Sequence, residues 1–466
     1  MALTWMDAFC AIAFIAAFGG VLFGLDDLWI DIYAFAMRLG PRELKDSDLT
    51  RMASLPQKSI GIIIANWQED EVLEPMVAGN VGQLKYERYT FFLGVYPNDL
   101  KTKEAAQRLE RLYPQVKCIV NSKEGPTTKG QMLNEIARGI LRHERESGIK
   151  QDLFLMQDSE DVLHPLSLQL INEAAEKADF VQIPVFSFDV SLGKLVAATY
   201  IDEFSEIHTK DLLVREKMGA AIPSAGVGTA LSRRLVLANM GEQGGNLLRE
   251  DTLTEDYDLG LNAKLRGMKS RFVCAFTRRY DGTPDFIATR EYFPDRLRTA
   301  IRQKTRWTLG IAFQGTRNLG WRGEWVDRYF MFRDRRGPIN AVLLVFGFIT
   351  LIGFLISTLI ANDVPDFMES DLFAIPAALN LISMVVRLGQ RVRAVLKVNA
   401  QEHAWFVPVR WPVSNLVNTC AAFQAARSQT KSLITGVAPK WDKTKHVIPK
   451  GFGQTKVPLP DLEGTA

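Results

Sequence analysis

The 466-residue chain has only four cysteines, Cys10, Cys118, Cys274 and Cys420, and none lies near another. That spacing excludes both a zinc pattern of close pairs and a disulfide framework, and it fits a reducing compartment. Net charge is also scarce: 56 Lys and Arg against 53 Asp and Glu leave +3, too little to argue for a nucleic-acid partner. There is no internal repeat and no low-complexity segment, so a solenoid and a biased disordered array are set aside. No Lys or Arg precedes the first apolar run, and no small-x-small cleavage pattern follows it. A cleaved signal peptide needs both, so the run is expected to be a retained helix.

Apolar residues make up 47% and charged residues 23%, close to a soluble average. The average hides segregation, because nearly uncharged blocks lie at the N-terminus and after residue 337, with a charged stretch between them. Residues 3–25, broken only by Thr4 and Asp7, have the length of a bilayer-spanning helix, as do residues 338–361. Residues 372–386, with Pro376 inside, form a shorter third candidate. Arg38, Arg42, Lys45 and Arg51 follow the first span, and Arg333, Arg335 and Arg336 precede the second. Arg387, Arg391, Arg393 and Lys397 follow the third, while the link at 362–371 is acidic and has no Lys or Arg. The positive-inside rule predicts the N-terminus outside, residues 40–335 in the cytosol, the acidic link outside and the tail inside. The expected organisation is a helix and linker at 1–37, a cytosolic domain at 38–336, two helices at 337–400 and a C-terminal part at 401–466. Within that last part, residues 407–433 read equally as a helix on the membrane face or as a packed soluble helix, since Trp411 and Phe423 share it with Arg410, Arg427 and Lys431. From Pro439 onward the chain is polar and rich in Pro and Gly, which predicts a loose tail.

The charged stretch alternates between two patterns. Strands are predicted at 59–65, 89–96, 116–120, 153–156 and 180–185, and helices at 71–84, 102–112, 129–146 and 167–177. Such alternation predicts an α/β fold with a mostly parallel sheet covered on both faces. Ligands on these sheets bind beyond the carboxyl ends of the strands, and polar residues gather there: Asn66 and Glu69 after the first strand, Asn98 and Asp99 after the second, Asp158, Glu160 and Asp161 after the fourth. Each alone also suits a helix cap or a turn. The three carboxylates together repel one another unless a cation sits among them, and a hard divalent ion, Mg²⁺ or Mn²⁺, would relieve that and bridge to a diphosphate. A plain acidic helix start is the competing account.

Lys129 and Asn134 open the predicted helix after the third strand, where a cation and backbone amides suit phosphate. Thr254-Glu255-Asp256 precedes apolar residues at helical spacing. A buried carboxylate there suits a general base, and an N-capped helix suits the same letters. Gln303-Lys304-Thr305-Arg306-Trp307 lies in a basic stretch with Arg296, Arg298 and Arg302, just before the second span. Arg306 suits a diphosphate and Trp307 a sugar ring; a basic-aromatic belt at the membrane interface suits them too.

Taken in order, Asp99, Asp158-Ser159-Glu160, Thr254-Glu255-Asp256 and Gln303-x-x-Arg306-Trp307 resemble glycosyltransferase family 2 and its membrane-embedded processive branch, the cellulose, chitin and hyaluronan synthases. The resemblance covers roughly residues 1–430. It implies a glycosyltransferase-A-type nucleotide-sugar-binding domain flanked by transmembrane helices at a bacterial inner membrane. The expected reaction is inverting transfer of a hexosyl group from a nucleotide sugar, a UDP-sugar foremost, to a glycan or lipid-linked acceptor in envelope or exopolysaccharide synthesis. Asp256, with Glu255 and Arg306, would be catalytic. Asn66, Glu69, Asp99, Lys129, Asn134, Asp158, Gln303 and Trp307 would bind substrate, and Asp158 and Glu160 would hold Mg²⁺ or Mn²⁺. Residues 223–233, with Gly226 and Gly228, would shape the acceptor site. Membrane lipid and an envelope export partner are the further contacts implied. Two departures stand out: Glu160 replaces the second Asp of D-x-D, which leaves Asp161 as an alternative ligand, and the membrane part is small for a chain that extrudes its own polymer. A catalytically silent membrane scaffold of an export system is the rival reading, although a scaffold needs no carboxylate cluster.

Overall fold

The computed structural model describes residues 5–361, 364–436, 448–449 and 451–453. Most of the tail from Pro439, part of the acidic link and the first two residues of the expected N-terminal span lie outside the described residues. The chain forms two compact units: Pro41–Phe188 with Ala221–Phe293 and the C-terminal segment from Trp441, and Met1–Gly40 with Asp189–Ala220 and Pro294–Lys440.

The first unit is an α/β layer structure. Its strands are β1 (Ile60–Ala65), β2 (Tyr89–Val95), β3 (Val116–Val120), β4 (Leu153–Gln157), β5 (Phe180–Gln182), β6 (Thr229–Ser232) and β7 (Ser270–Phe272). They lie in the order β7-β5-β6-β4-β1-β2-β3. Every neighbouring pair is parallel except those made by β6, which runs antiparallel to β4 and β5. The central strands are apolar throughout because both faces are covered: Ile60, Ile62, Ile63, Ile64, Phe91, Phe92, Leu93, Phe154 and Leu155 are fully buried. The expected strand at 180–185 is divided. Pro184 has no N–H to give a ladder, and Val185–Ser187 pairs instead with Thr289–Glu291, which also pairs with Val162–Leu163.

The helix Lys129–Ser147 shows how local sequence sets the boundaries. The Thr128 hydroxyl accepts a hydrogen bond from the Gln131 amide at 3.2 Å, and Gly148 ends the helix in the left-handed conformation. Chain order runs outward from β1 to β2 to β3, and β4 lies on the other side of β1. The sheet therefore has its topological switch between β1 and β4, and the crevice at the carboxyl ends of these two strands is where such folds bind ligands.

The second unit is helical. Trp5–Ala36, Gly337–Ile360 and Asp371–Val398 are long and apolar enough to cross a membrane. Small residues let them approach closely: a side chain at Gly20 would collide with Asn380, one at Gly24 with Ser383 and one at Gly353 with Phe9. The Asn380 amide donates to the Ala17 carbonyl at 2.8 Å.

The first and third helices run past the expected ends of their apolar spans, and the reason is electrostatic. Asp26, Asp27 and Asp31 of the first meet Arg333, Arg336 and Lys210. Arg387 and Arg391 of the third meet Glu206 at 3.0 Å each, and Lys210 reaches the same carboxylate at 3.0 Å. Charges with partners can stay helical beyond the apolar run. The C-terminal helix Val407–Thr435 buries Val407, Arg410, Ser414, Val417, Ala421 and Ala425 along one stripe, with Arg410 forked onto Asp202 at 2.6 and 3.0 Å. Leu416, Phe423, Leu433 and Ile434 are exposed.

Candidate active site

The loops after β1 and β4 are tied across the switch point. Asn66 is fully buried, and its amide donates to the Ile64 and Gly94 carbonyls at 3.1 and 3.0 Å while its oxygen accepts from the Ser159 hydroxyl at 2.9 Å. Glu69 is buried, and its backbone amide donates to the Thr102 hydroxyl at 2.9 Å. Asp99 caps the helix Leu100–Leu112, and its other oxygen accepts from the Gln68 amide at 2.6 Å. Asn66 and Asp99 therefore fix the loop backbone. The Trp67 and Tyr96 rings meet edge-to-face at 5.1 Å beside them.

Beyond β4 the acidic residues converge. The Lys129 ammonium, first in its helix, lies 2.5 Å from the Asp158 Oδ1. Burial alone would lower this lysine, but Asp158, Glu255 and Asp256 outweigh that and hold it above its ordinary range. Asp161 is fully buried, and its Oδ2 accepts from the Asp158 backbone amide at 2.6 Å. Burial, then the charges of Asp158 and Glu160, push Asp161 well above the carboxylate range. Its Oδ1 is buried without a hydrogen-bond partner.

Glu255 and Asp256 open the helix Glu255–Leu265. That helix lies backbone to backbone on the segment before β6: a side chain at Gly260 would come within 2.5 Å of the Ile222 carbonyl oxygen and the Ser224 nitrogen. The same contact brings Gly226 against Asp256. Gly226 has φ +81°, and a Cβ there would lie 2.4 Å from the Asp256 Oδ2 and 3.8 Å from the Lys129 Nζ, so both conformation and space require glycine. Burial, with Asp256 alongside, pushes Glu255 up to about 7, and burial raises Asp256 as well. Asn134 is fully buried and pins the segment leading to this helix; it donates to the Leu248 carbonyl at 2.9 Å and accepts from the Leu248 amide at 2.7 Å.

One carboxylate in the cluster escapes the sequence reading. Glu291 ends the strand Thr289–Glu291. Removal from water, then the charges of Asp161, Glu160 and Asp158, push it well above the carboxylate range. No spacing marked it, because only the pairing of its strand with residues 162–163 and 185–187 brings it there.

The cluster has the oxygen donors that a hard divalent ion takes, and the buried, unpartnered Asp161 oxygen fits a ligand-seeking site. As the side chains stand, no three His, Cys, Asp or Glu among the described residues are disposed to hold a metal ion, and Asp158 is engaged by Lys129.

Gln303, Arg306 and Trp307 belong to the helical unit, on the helix Leu297–Thr308. Trp307 stands edge-on to Tyr200 and Phe204, with centroids at 6.1 and 6.3 Å. Beside it Lys304 is buried, bonded to Glu203 and to the Asn418 oxygen at 2.9 Å, and it lies 5.0 Å from the Tyr200 ring centre. The Gln303 side-chain oxygen is buried without a partner.

A parallel sheet with one reversed strand and an acidic cluster at its switch point defines a glycosyltransferase-A-type domain, here with apolar helices on both sides in sequence. A mannosyltransferase from Pyrobaculum calidifontis, solved with GDP-mannose and Mn²⁺, superposes with a TM-score of 0.53 over 90% of this chain and 98% of its own at 12% identity, a likeness of fold. Residues 56–310 match the family described as glycosyltransferase like family 2, and the chain belongs to that family. It is similar to bacteriophage adsorption protein B of Escherichia coli K12 and to bacteriophage N4 adsorption protein B of Escherichia coli O157:H7, at 33% identity over 97% of the chain in each case. The chain spans 64% of the length of those relatives.

Proposed function

We propose that this glycosyltransferase carries out inverting, metal-dependent transfer of a hexosyl group from a nucleotide sugar to a glycan or lipid-linked acceptor at the cytosolic face of a bacterial inner membrane. The observation that carries this reading is the gathering of Asp158, Glu160, Asp161, Glu255, Asp256 and Glu291 about the Lys129 ammonium, beyond the strand ends of the sheet.

Asp256 is the base. It opens a helix whose backbone is packed against residues 222–224, and Gly226 lies against its carboxylate where no larger residue fits. It removes the proton from the acceptor hydroxyl as the oxygen attacks the anomeric carbon from the face opposite the leaving diphosphate. Glu255, held at about 7 beside it, serves as its proton-holding neighbour. Asp158 and Glu160 would hold a divalent cation, with Asp161 as the alternative to Glu160, and that ion would offset the charge of the leaving diphosphate. Lys129 adds its own cation at the same place. Gln303, Arg306 and Trp307 are assigned to the diphosphate and the acceptor by the family resemblance. Asn66, Asp99 and Asn134 hold the loops around the donor, and Glu69 lies in the first of them.

The apolar helices and the arginines beside them support a multi-pass inner-membrane enzyme with its α/β unit in the cytosol. The mannosyltransferase, solved with GDP-mannose and Mn²⁺, supports a nucleotide-sugar donor and a divalent ion here. The relatives' role in phage adsorption fits a product destined for the envelope, and the family resemblance adds an envelope export partner. Radiolabelled UDP- and GDP-sugars presented to membranes containing the protein, with Mn²⁺ or Mg²⁺, test the reading. Incorporation from one donor that EDTA and Asp256→Asn both abolish is expected, and no incorporation from any donor would sink it.

A further inference from the structure

The site contains its own counter-ion, and this has a consequence for how it takes a metal. Lys129 reaches Asp158 from the first turn of its helix, 2.5 Å from the Oδ1, on the carboxylate that the proposed function gives to the cation. The Lys129 side chain keeps 24% of its surface and that of Asp158 31%, so the pair is open to solvent on one side and not sealed. Asp161 is tied through its Oδ2 to the Asp158 backbone amide, and its buried Oδ1 has no partner. That oxygen waits beside a carboxylate already occupied by an ammonium.

We propose that Lys129 is an internal stand-in for the metal: it holds Asp158 in the empty site, and a divalent cation binds only by displacing it. A dication and an ammonium on one carboxylate repel each other, so they alternate at Asp158. Glu255 and Asp256 are carried by a helix packed against residues 222–224, and both lie beside Lys129. The displaced ammonium therefore has anionic neighbours left, and a donor diphosphate gives it a better one. Metal alone then binds weakly, and metal with a nucleotide diphosphate binds cooperatively, because the diphosphate accommodates the lysine that the metal expels.

The inference rests on the metal-dependent reading above, and the test separates the two. Binding of Mn²⁺ alone to the full chain in detergent is followed by electron paramagnetic resonance of the free ion, and binding of UDP and of GDP in the presence of Mn²⁺ by calorimetry. Lys129→Met is expected to tighten Mn²⁺ alone by about tenfold and to weaken the nucleotide by about tenfold. Lys129→Arg, which keeps the charge, is expected to leave Mn²⁺ affinity within about threefold of the parent. A residue that merely supports the fold would not move the two affinities in opposite directions. A wild-type measurement covers the case in which the methionine variant does not fold. Acylation of Lys129 by an amine-reactive reagent, read by mass spectrometry, is expected to rise when Mn²⁺ alone is added. Equal Mn²⁺ affinity in the parent and Lys129→Met, or unchanged labelling at saturating Mn²⁺, overturns the inference and leaves the metal reading standing. Absence of Mn²⁺ binding from both proteins overturns both.

Discussion

Two clusters of charge are built into this chain in opposite ways. In the helical unit Asp26, Asp27, Asp31, Glu206 and Asp211 face Lys210, Arg333, Arg336, Arg387 and Arg391, five acids against five bases, all at ion-pair distance. In the α/β unit Asp158, Glu160, Asp161, Glu255, Asp256 and Glu291 crowd together, and the cation shown among them in the described residues is Lys129. A balanced set has no capacity left for a ligand, so its work is to join four segments of chain. An unbalanced set is costly unless something else arrives, which is what a binding site requires. Burial is common to both clusters; stoichiometry tells the structural one from the functional one.

The comparison is broken most severely by unbalancing the balanced set. Glu206 accepts from three cations, so Glu206→Ala removes the acceptor they share in a buried place and leaves the set one charge short, with Lys210 on Asp31 and Asp211 and Arg387 on Asp27. A loss of about 3–5 kcal/mol is expected, read as a fall in the thermal midpoint in detergent. A small change there would mean that the network is solvated and not a joint. The complementary test removes charge from the unbalanced set. Asp256→Asn relieves repulsion, so the thermal midpoint should hold or rise while turnover falls at least about 10²-fold. Lost activity together with lost stability would place Asp256 among the structural charges.

Much of this contrast was legible before the coordinates, and the missing part has a physical cause. The alternation of strands and helices, and the carboxylates at 99, 158, 160, 255 and 256, were readable because they follow short local patterns. The balanced network was not, since Asp27 and Arg387 lie on different helices and only packing makes them partners. The charges were legible as flanks of the apolar spans, and the continuation of both helices through them was not. Glu291 failed for the same reason: a three-residue strand has no periodicity to show. Asn66 reads as a polar residue after the first strand and Asn134 as one near the start of the helix after the third, and sequence cannot say that both side chains are bonded to backbone.

The two clusters also differ in their response to acid. Burial alone would raise Glu203 of the helical unit, but Lys304 and Arg391 outweigh it and hold the carboxyl at about 2. Its folded pKa is below the unfolded one, so its stabilisation is present above about pH 4.5 and is lost as pH falls toward 2. Glu255 is raised to about 7 by burial. Its folded state binds the proton more tightly, so its stabilisation is full below about pH 4.5 and lost as pH rises through 7. Each contributes a slope of at most about 1.4 kcal/mol per pH unit within its window. Thermal midpoints of Glu203→Gln and Glu255→Gln against the parent, from pH 3 to 8, should therefore diverge at opposite ends of the scale. Parallel curves would mean that the two carboxyls share one environment.

The smallest effect sharpens the line between holding a loop and binding a ligand. Asp99 accepts from the Thr102 amide at the start of its helix and from the Gln68 amide across the strand ends. Asp99→Ala removes both acceptors and should cost about 1 kcal/mol. Asp99→Asn keeps one oxygen for one of the two amides and sets its NH2 against the other, so it should cost about half of that or more. Stability therefore follows how many of the two amides keep an acceptor, whereas a contact to the donor's base or ribose through the carboxylate is read in the donor KM. A donor KM that rises several-fold in Asp99→Asn but not in Thr102→Val, which disturbs the same loop, would put Asp99 in the substrate site as well as in the loop. A KM equal to the parent's would confine it to the loop, alongside Asn66, whose amide serves the backbone.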